Sequence, residues 1–113
     1  YQVELAPFIN AINNGMDCIM TTHIIFNAID EKYPATLSEK VITGLLRNEL
    51  GYNGLVATDG MEMNAVAKYF GSYDETAVLA VKAGVDRPIL IGEFHATQRF
   101  TVHAHTKVIR ELL

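Results

Sequence analysis

The sequence predicts an α/β fold built from strand and helix units laid side by side, and three observations predict it. Short apolar runs at 16–22, 55–57 and 89–91 are separated by roughly 35 residues, the spacing of parallel strands joined by right-handed crossovers. Helical periodicity fills the intervals between them. The first two runs end in polar triplets, Thr21-Thr22-His23 and Thr58-Asp59-Gly60. In parallel α/β folds, that end of a strand is where binding and catalysis gather.

Taken in order, Leu5, Phe8, Ile9 and Ile12 recur at helical spacing, with Pro7 in the first turn and Gly15 behind, so residues 4–14 read as an amphipathic helix. Met16 to Thr22 form the first strand, and the apolar flanks of Cys18 predict a buried thiol. Residues 24–35 follow no period and hold Asp30 and Pro34, a loop long enough to belong to a site. Asp30 itself reads as a loop charge. Thr36 with Glu39 fits a capping box, and Ser38 is an equally good N-cap. Val41, Ile42, Leu45, Leu46 and Leu50 share the apolar face of the next helix, Gly51 stops it, and Arg47 and Glu49 are assigned to its solvated end.

Leu55, Val56 and Ala57 have the unbroken apolar character of a strand covered on both faces. From its own segment, Asp59 reads either as the N-cap of the following helix or as a site carboxylate. Met61 to Phe70 resume a helical pattern with Met63, Val66 and Ala67 on one side, and Gly71-Ser72 break it. Asp74 can cap a further helix through Ala83, stopped by Gly84. Ile89-Leu90-Ile91 make the third strand, and 100–113 a last helix.

Composition bounds the function. Of 113 residues, 50% are hydrophobic, 19% are charged and three are proline, so the chain is core-forming. Nine Lys and Arg against 13 Asp and Glu give a net charge of −4, and no basic patch invites nucleic acid or an anionic membrane. Cys18 is the single cysteine, which rules out an internal disulfide and a CxxC motif. No apolar run approaches the ~20 residues that span a bilayer. The chain opens on Tyr1 with no initiator Met and is expected to be cut from a longer one, which leaves its localisation open.

Three parallel strands make a poor independent sheet, because both edges stay unpaired and both faces need cover. A (β/α)8 barrel of the TIM type takes about 250 residues. The chain is therefore expected to supply the C-terminal βα units of such a barrel, with the N-terminal part missing. The competing fold is a small doubly wound sheet, although no GxGxxG or GxxxxGK[ST] motif supports a nucleotide site in it.

The run PATLSEKVITGLLRNELGYNGLVATDGMEMNAV at 34–66, with PFINAINNGMDCIMTTHI upstream and AVLAVKAGVD downstream, resembles glycoside hydrolase family 3. It is most similar to the bacterial β-N-acetylhexosaminidase branch. The resemblance covers roughly residues 4–91, and the order and spacing of separate blocks agree. It implies that the whole chain is part of a catalytic barrel domain. It further implies that Asp59, in the TD motif, is the nucleophile of a retaining mechanism through a glycosyl-enzyme intermediate. The second motif residue is often Asp or Ala, where this chain has Gly60. Gly60, Met61 and Met63 differ from the SDW-like motif of the β-glucosidase branch, so the implied substrate is a small carbohydrate ending in β-linked N-acetylglucosamine, from peptidoglycan or chitin fragments. The resemblance also implies that His23, in a motif like MTAH, lines the site, and that no metal or cofactor is needed.

The family's acid/base His, its supporting Asp and its sugar-gripping Lys-His and Arg lie upstream of the matched region. A nucleophile without its proton donor loses about 10²- to 10⁴-fold, so the chain alone is expected to have no useful turnover. For His23 the other reading is a buried histidine satisfied by backbone groups; for Met63 it is core packing rather than substrate contact. Glu62 reads as a helix-surface charge. His95, His103 and His105 suggest a metal only superficially, since an i, i+2 pair converges on a strand and not on a helix. The rival readings are a β-glucosidase of the same family and a non-catalytic carbohydrate-binding or structural fragment.

Overall fold

The computed structural model describes residues 3–61, 66, 70 and 73–89. Strands β1 (Cys18–Thr21), β2 (Leu55–Gly60) and β3 (Arg87–Ile89) form one parallel sheet in the order β1-β2-β3. Helix α1 (Ala6–Asn13) precedes β1, α2 (Lys40–Glu49) lies between β1 and β2, and α3 (Tyr73–Ala83) leads into β3. The strand and helix alternation read from the sequence is therefore present. No helix among the described residues is long and apolar enough to cross a membrane.

The strand limits differ from the apolar runs, because pairing sets them and hydropathy does not. β2 runs on through Asp59 and Gly60, since Thr58 still pairs with Thr21 and Gly60 with Ile89. β3 begins at Arg87 for the same reason, as Ala57 pairs with it. The expected helices at 61–70, for the most part, and at 100–113 lie outside the described residues, as do residues 90 and 91 of the third strand and the Asp74 side chain.

Ser38, not Thr36, caps α2: its Oγ accepts the Val41 N–H at 3.2 Å. The helix then winds with i→i+5 hydrogen bonds, ending with Leu50 N–H on the Leu45 carbonyl at 2.9 Å. Gly51 follows with φ 68°, and Gly84 ends α3 with φ 116°, a conformation that side chains rarely adopt. The core lies where α2 and α3 meet the sheet, around Leu37, Ile42, Tyr52, Val56, Met61, Val66 and Ala80. Full burial of a side chain such as Ile42 contributes about 1.5–3 kcal/mol.

The other face is open along β1 and at the start of β2, although Ala57 on that face is buried. Cys18, Met20 and Leu55 share it through the β1–β2 register, and all three are exposed, Met20 at 61% and Leu55 at 44%. The Cys18 thiol is thus not buried as expected, because β1 is an edge strand with a layer of helices on one side only. Helix α1 forms as the sequence predicts, yet buries no residue.

Two polar clusters hold the loops. Arg47 does not sit on a solvated helix end. Its Nη1 donates to the carbonyls of Gly54 at 2.6 Å and Tyr52 at 3.2 Å, and its Nη2 to the carbonyl of Gly84 at 3.4 Å and to Asp86 Oδ2 at 2.7 Å. Asp86 Oδ2 also accepts the Val56 N–H at 2.8 Å, so one guanidinium ties the ends of α2 and α3 to the starts of β2 and β3. A Cβ on Gly54 would overlap the Tyr52 hydroxyl, which donates to the Leu55 carbonyl at 3.0 Å. Burial pushes that phenol above its ordinary range.

The second cluster is Asp30, which is buried and not a loop surface charge. Its Oδ2 accepts the Ser38 hydroxyl at 2.6 Å, and its Oδ1 accepts the N–H groups of Lys32 and Tyr33 at 3.0 and 3.3 Å. The Ser38 hydroxyl above all, with those N–H groups and the Lys40 charge, holds the carboxyl below its ordinary value, against the effect of burial.

Replacing Arg47 by Met removes charged donors from three carbonyls, and the protein is expected to lose about 2–3 kcal/mol in urea unfolding, with Arg47→Lys recovering only part. For Asp30 the folded-state pKa lies below its unfolded value near 3.8, so its contribution is present above about pH 4 and is lost as pH falls through the folded value. Asp30→Asn should therefore cost about 1–2 kcal/mol at pH 7, and the difference between thermal melts of the two proteins should shrink as pH falls below about 4.

Candidate functional site

Parallel pairing brings the two polar triplets together. Cys18 pairs with Leu55 and Thr21 with Thr58, so the carboxyl ends of β1 and β2 finish side by side, with His23 two residues beyond one and Asp59 in the last turn of the ladder on the other. Between Ala57 and Gly60 the β2–β3 register slips by one residue. Asp59 therefore lies within a bulge, the device that re-aims a side chain at a strand end.

The Asp59 side chain is half-buried, and its Oδ1 accepts the N–H of the next residue, Gly60, at 2.8 Å. Among the described residues, Oδ2 has no hydrogen-bond partner. Asp59 is part of β2 and caps no helix through the bond it makes. A carboxylate held by one oxygen at a strand end can act as a nucleophile or as a proton acceptor.

Both ring nitrogens of His23 are engaged by protein groups. Nε2 donates to the Gly60 carbonyl at 2.9 Å, and since a carbonyl only accepts, Nε2 carries a proton. Nδ1 lies 2.8 Å from Thr36 Oγ1. Thr36 is fully buried in the short 3₁₀ turn Ala35–Leu37, and its hydroxyl donates to the Thr22 carbonyl at 2.8 Å and lies 3.1 Å from the Thr21 hydroxyl. Its own N–H bonds the Thr22 carbonyl at 3.1 Å. Thr36 thus fastens the Pro34–Ser38 segment to the end of β1, and His23 carries that order across to β2.

Of the residues singled out in the sequence, His23 and Asp59 meet through Gly60. Met63 lies outside the described residues, as do Glu62, His95, His103 and His105. Sequence reasoning missed Thr36 and the Gly60 carbonyl. The local pattern of Thr36 matches a helix cap, and the His23–Gly60 bond spans 37 residues, so no short-range signal could have found either. Among the described residues, no group of three His, Cys, Asp or Glu side chains could hold a metal ion.

Residues 1–110 match the glycosyl hydrolase family 3 N-terminal domain. An uncharacterized secreted glycosyl hydrolase of Arthroderma benhamiae is 46% identical over 92 residues, covering 81% of this chain and 26% of its own length. A beta-hexosaminidase of Nitrosomonas eutropha is 37% identical over 90 residues, covering 80% of this chain and 25% of its own length. Among solved structures, a family 3 β-N-acetylglucosaminidase from a Paenibacillus species superposes with a TM-score of 0.83 at 46% identity, over 95% of this chain and 20% of that one. The β-N-acetylglucosaminidase of Thermotoga maritima gives a TM-score of 0.76 at 34% identity, over 94% of this chain and 26% of that one. The chain spans about a quarter of the length of the curated relatives it matches. A family match over nearly every residue, together with a strand-end aspartate in a parallel sheet, places this chain in glycosyl hydrolase family 3.

Proposed function

We propose that the chain forms the C-terminal βα units of a (β/α)8 catalytic barrel in a retaining β-N-acetylhexosaminidase, with Asp59 as the nucleophile. The observation that carries the reading is the Asp59 carboxylate, in the bulge at the carboxyl end of β2, with Oδ1 tied to the Gly60 N–H. Strands that add in sequence order without reversal support a barrel rather than a doubly wound sheet. The uncovered face with Cys18, Met20 and Leu55, together with the unburied helix α1, supports a missing N-terminal part of the barrel as its cover. Relatives named beta-hexosaminidase and β-N-acetylglucosaminidase support the sugar class.

In this mechanism, Asp59 Oδ2 bonds to the anomeric carbon as the glycosidic oxygen leaves, and an acid from the upstream part of the barrel gives that oxygen its proton. The same group, now a base, takes a proton from water, whose oxygen attacks the anomeric carbon and releases Asp59. The Gly60 N–H keeps Oδ1 fixed throughout, so the attacking oxygen turns little. Small saccharides ending in β-linked N-acetylglucosamine, from peptidoglycan or chitin, are the substrate.

The test is hydrolysis of an aryl β-N-acetylglucosaminide and an aryl β-glucoside by the intact polypeptide that carries this chain, beside its Asp59→Asn variant. Loss of at least about a thousandfold in a folded variant places Asp59 at the transition state. Preference for the glucoside would move the enzyme to the β-glucosidase branch, and equal rates in both proteins would remove Asp59 from the chemistry.

A further inference from the structure

We propose that His23 is a positioning residue for the nucleophile, acting through Gly60 and held in place by Thr36. The inference rests on Asp59 being the nucleophile. Its basis is an unbroken chain of contacts: Thr36 Oγ1 to His23 Nδ1 at 2.8 Å, His23 Nε2 to the Gly60 carbonyl at 2.9 Å, and Gly60 N–H to Asp59 Oδ1 at 2.8 Å. Gly60 is gripped at both its polar groups. Its N–H fixes one carboxylate oxygen, and its carbonyl is fixed by the imidazole.

This grip matters because Asp59 and Gly60 sit where the ladder is irregular. The register shift between Ala57 and Gly60 leaves this part of β2 with fewer regular bonds to β3, and a glycine has the widest conformational range of any residue. Without the imidazole, rotation about the Gly60 backbone would swing its N–H and carry Oδ1 with it. Direct binding of sugar by His23 is not available through its ring nitrogens, because protein groups occupy both. Thr36 in turn is fully buried and fastened to the Thr21 and Thr22 end of β1, so His23 transfers the position of one strand end to the other. A displacement near 1 Å at a reacting group costs about 10²-fold in rate. Loss of the grip should therefore appear in kcat while KM changes little.

Two substitutions at one position separate positioning from bulk. In His23→Gln the side-chain amide reaches the place of Nε2 and can still donate to Gly60. In His23→Asn it reaches only the place of Nδ1. We expect His23→Asn to lower kcat about 10- to 100-fold with KM within about threefold, and His23→Gln to retain most of the rate. Thr36→Val should resemble His23→Asn, and Thr36→Ser should recover. Each is measured in the intact polypeptide on the aryl β-N-acetylglucosaminide, with a thermal melt to establish folding, beside Asp59→Asn.

Unchanged kcat in folded His23→Asn, or equal losses in the Asn and Gln variants, would overturn the proposal. A full loss in Asp59→Asn in that same experiment would leave the nucleophile assignment standing. Activity in Asp59→Asn would instead overturn the assignment on which this inference rests. Should the His23 variants not fold, the ¹⁵N spectrum of the unsubstituted protein decides: a proton on His23 Nε2 with slow exchange supports the bond to Gly60, and an unprotonated Nε2 rules it out.

Discussion

The structure depends on the parallel pairing of β1 with β2 in the register that sets Thr21 beside Thr58. A parallel ladder fixes direction, so every carboxyl end falls on the same side, whatever the intervening 33 residues do. Those residues are then free to supply α2 and the segment with Thr36, and both return to the same two strands. A slip of β1 by one residue against β2 would turn Thr21 to the uncovered face and Met20 into the helix layer. The polar bonds of Thr21 therefore oppose that error.

The two ends of the sheet do different work. At the amino ends, Arg47 gathers three carbonyls and Asp86, which gives the loops there donors that water would otherwise provide. The bonds to carbonyls matter more than the ion pair, because Asp86 is 44% exposed and its attraction to Arg47 is screened. At the carboxyl ends the bonds run instead through the hydroxyls of Thr21 and Thr36, the His23 ring and the Gly60 carbonyl. These contacts hold position by geometry.

The sequence made some of this legible and left some out for physical reasons. Strands showed as apolar runs because the sheet's centre is covered, and helix stops showed because Gly51 and Gly84 take positive φ. Asp59 was visible from its place after such a run and from the family motif. Arg47 was misplaced because amphipathic spacing locates a side chain on a helix but does not say which carbonyls the tertiary fold brings near. Cys18 was misplaced because strand hydropathy presumes cover on both faces, and β1 has it on one. The T-x-x-E spacing at Thr36 fits a cap and a strand clamp equally, and only the fold distinguishes them.

A buried threonine links the two strand ends. Thr36 is fully buried, and a hydroxyl without partners there would cost about 1–3 kcal/mol. Its oxygen instead meets Thr22, Thr21 and His23, so each contact it makes is also one that the neighbouring segment needs. Serine could satisfy the hydroxyl, yet threonine's methyl restricts χ1 and leaves the oxygen one direction. That stiffness is passed to an imidazole, a ring whose two nitrogens lie at a fixed separation, and then to a single glycine. Flexibility at Gly60 is thereby allowed in the backbone, where the bulge needs it, and limited at the carbonyl that His23 holds.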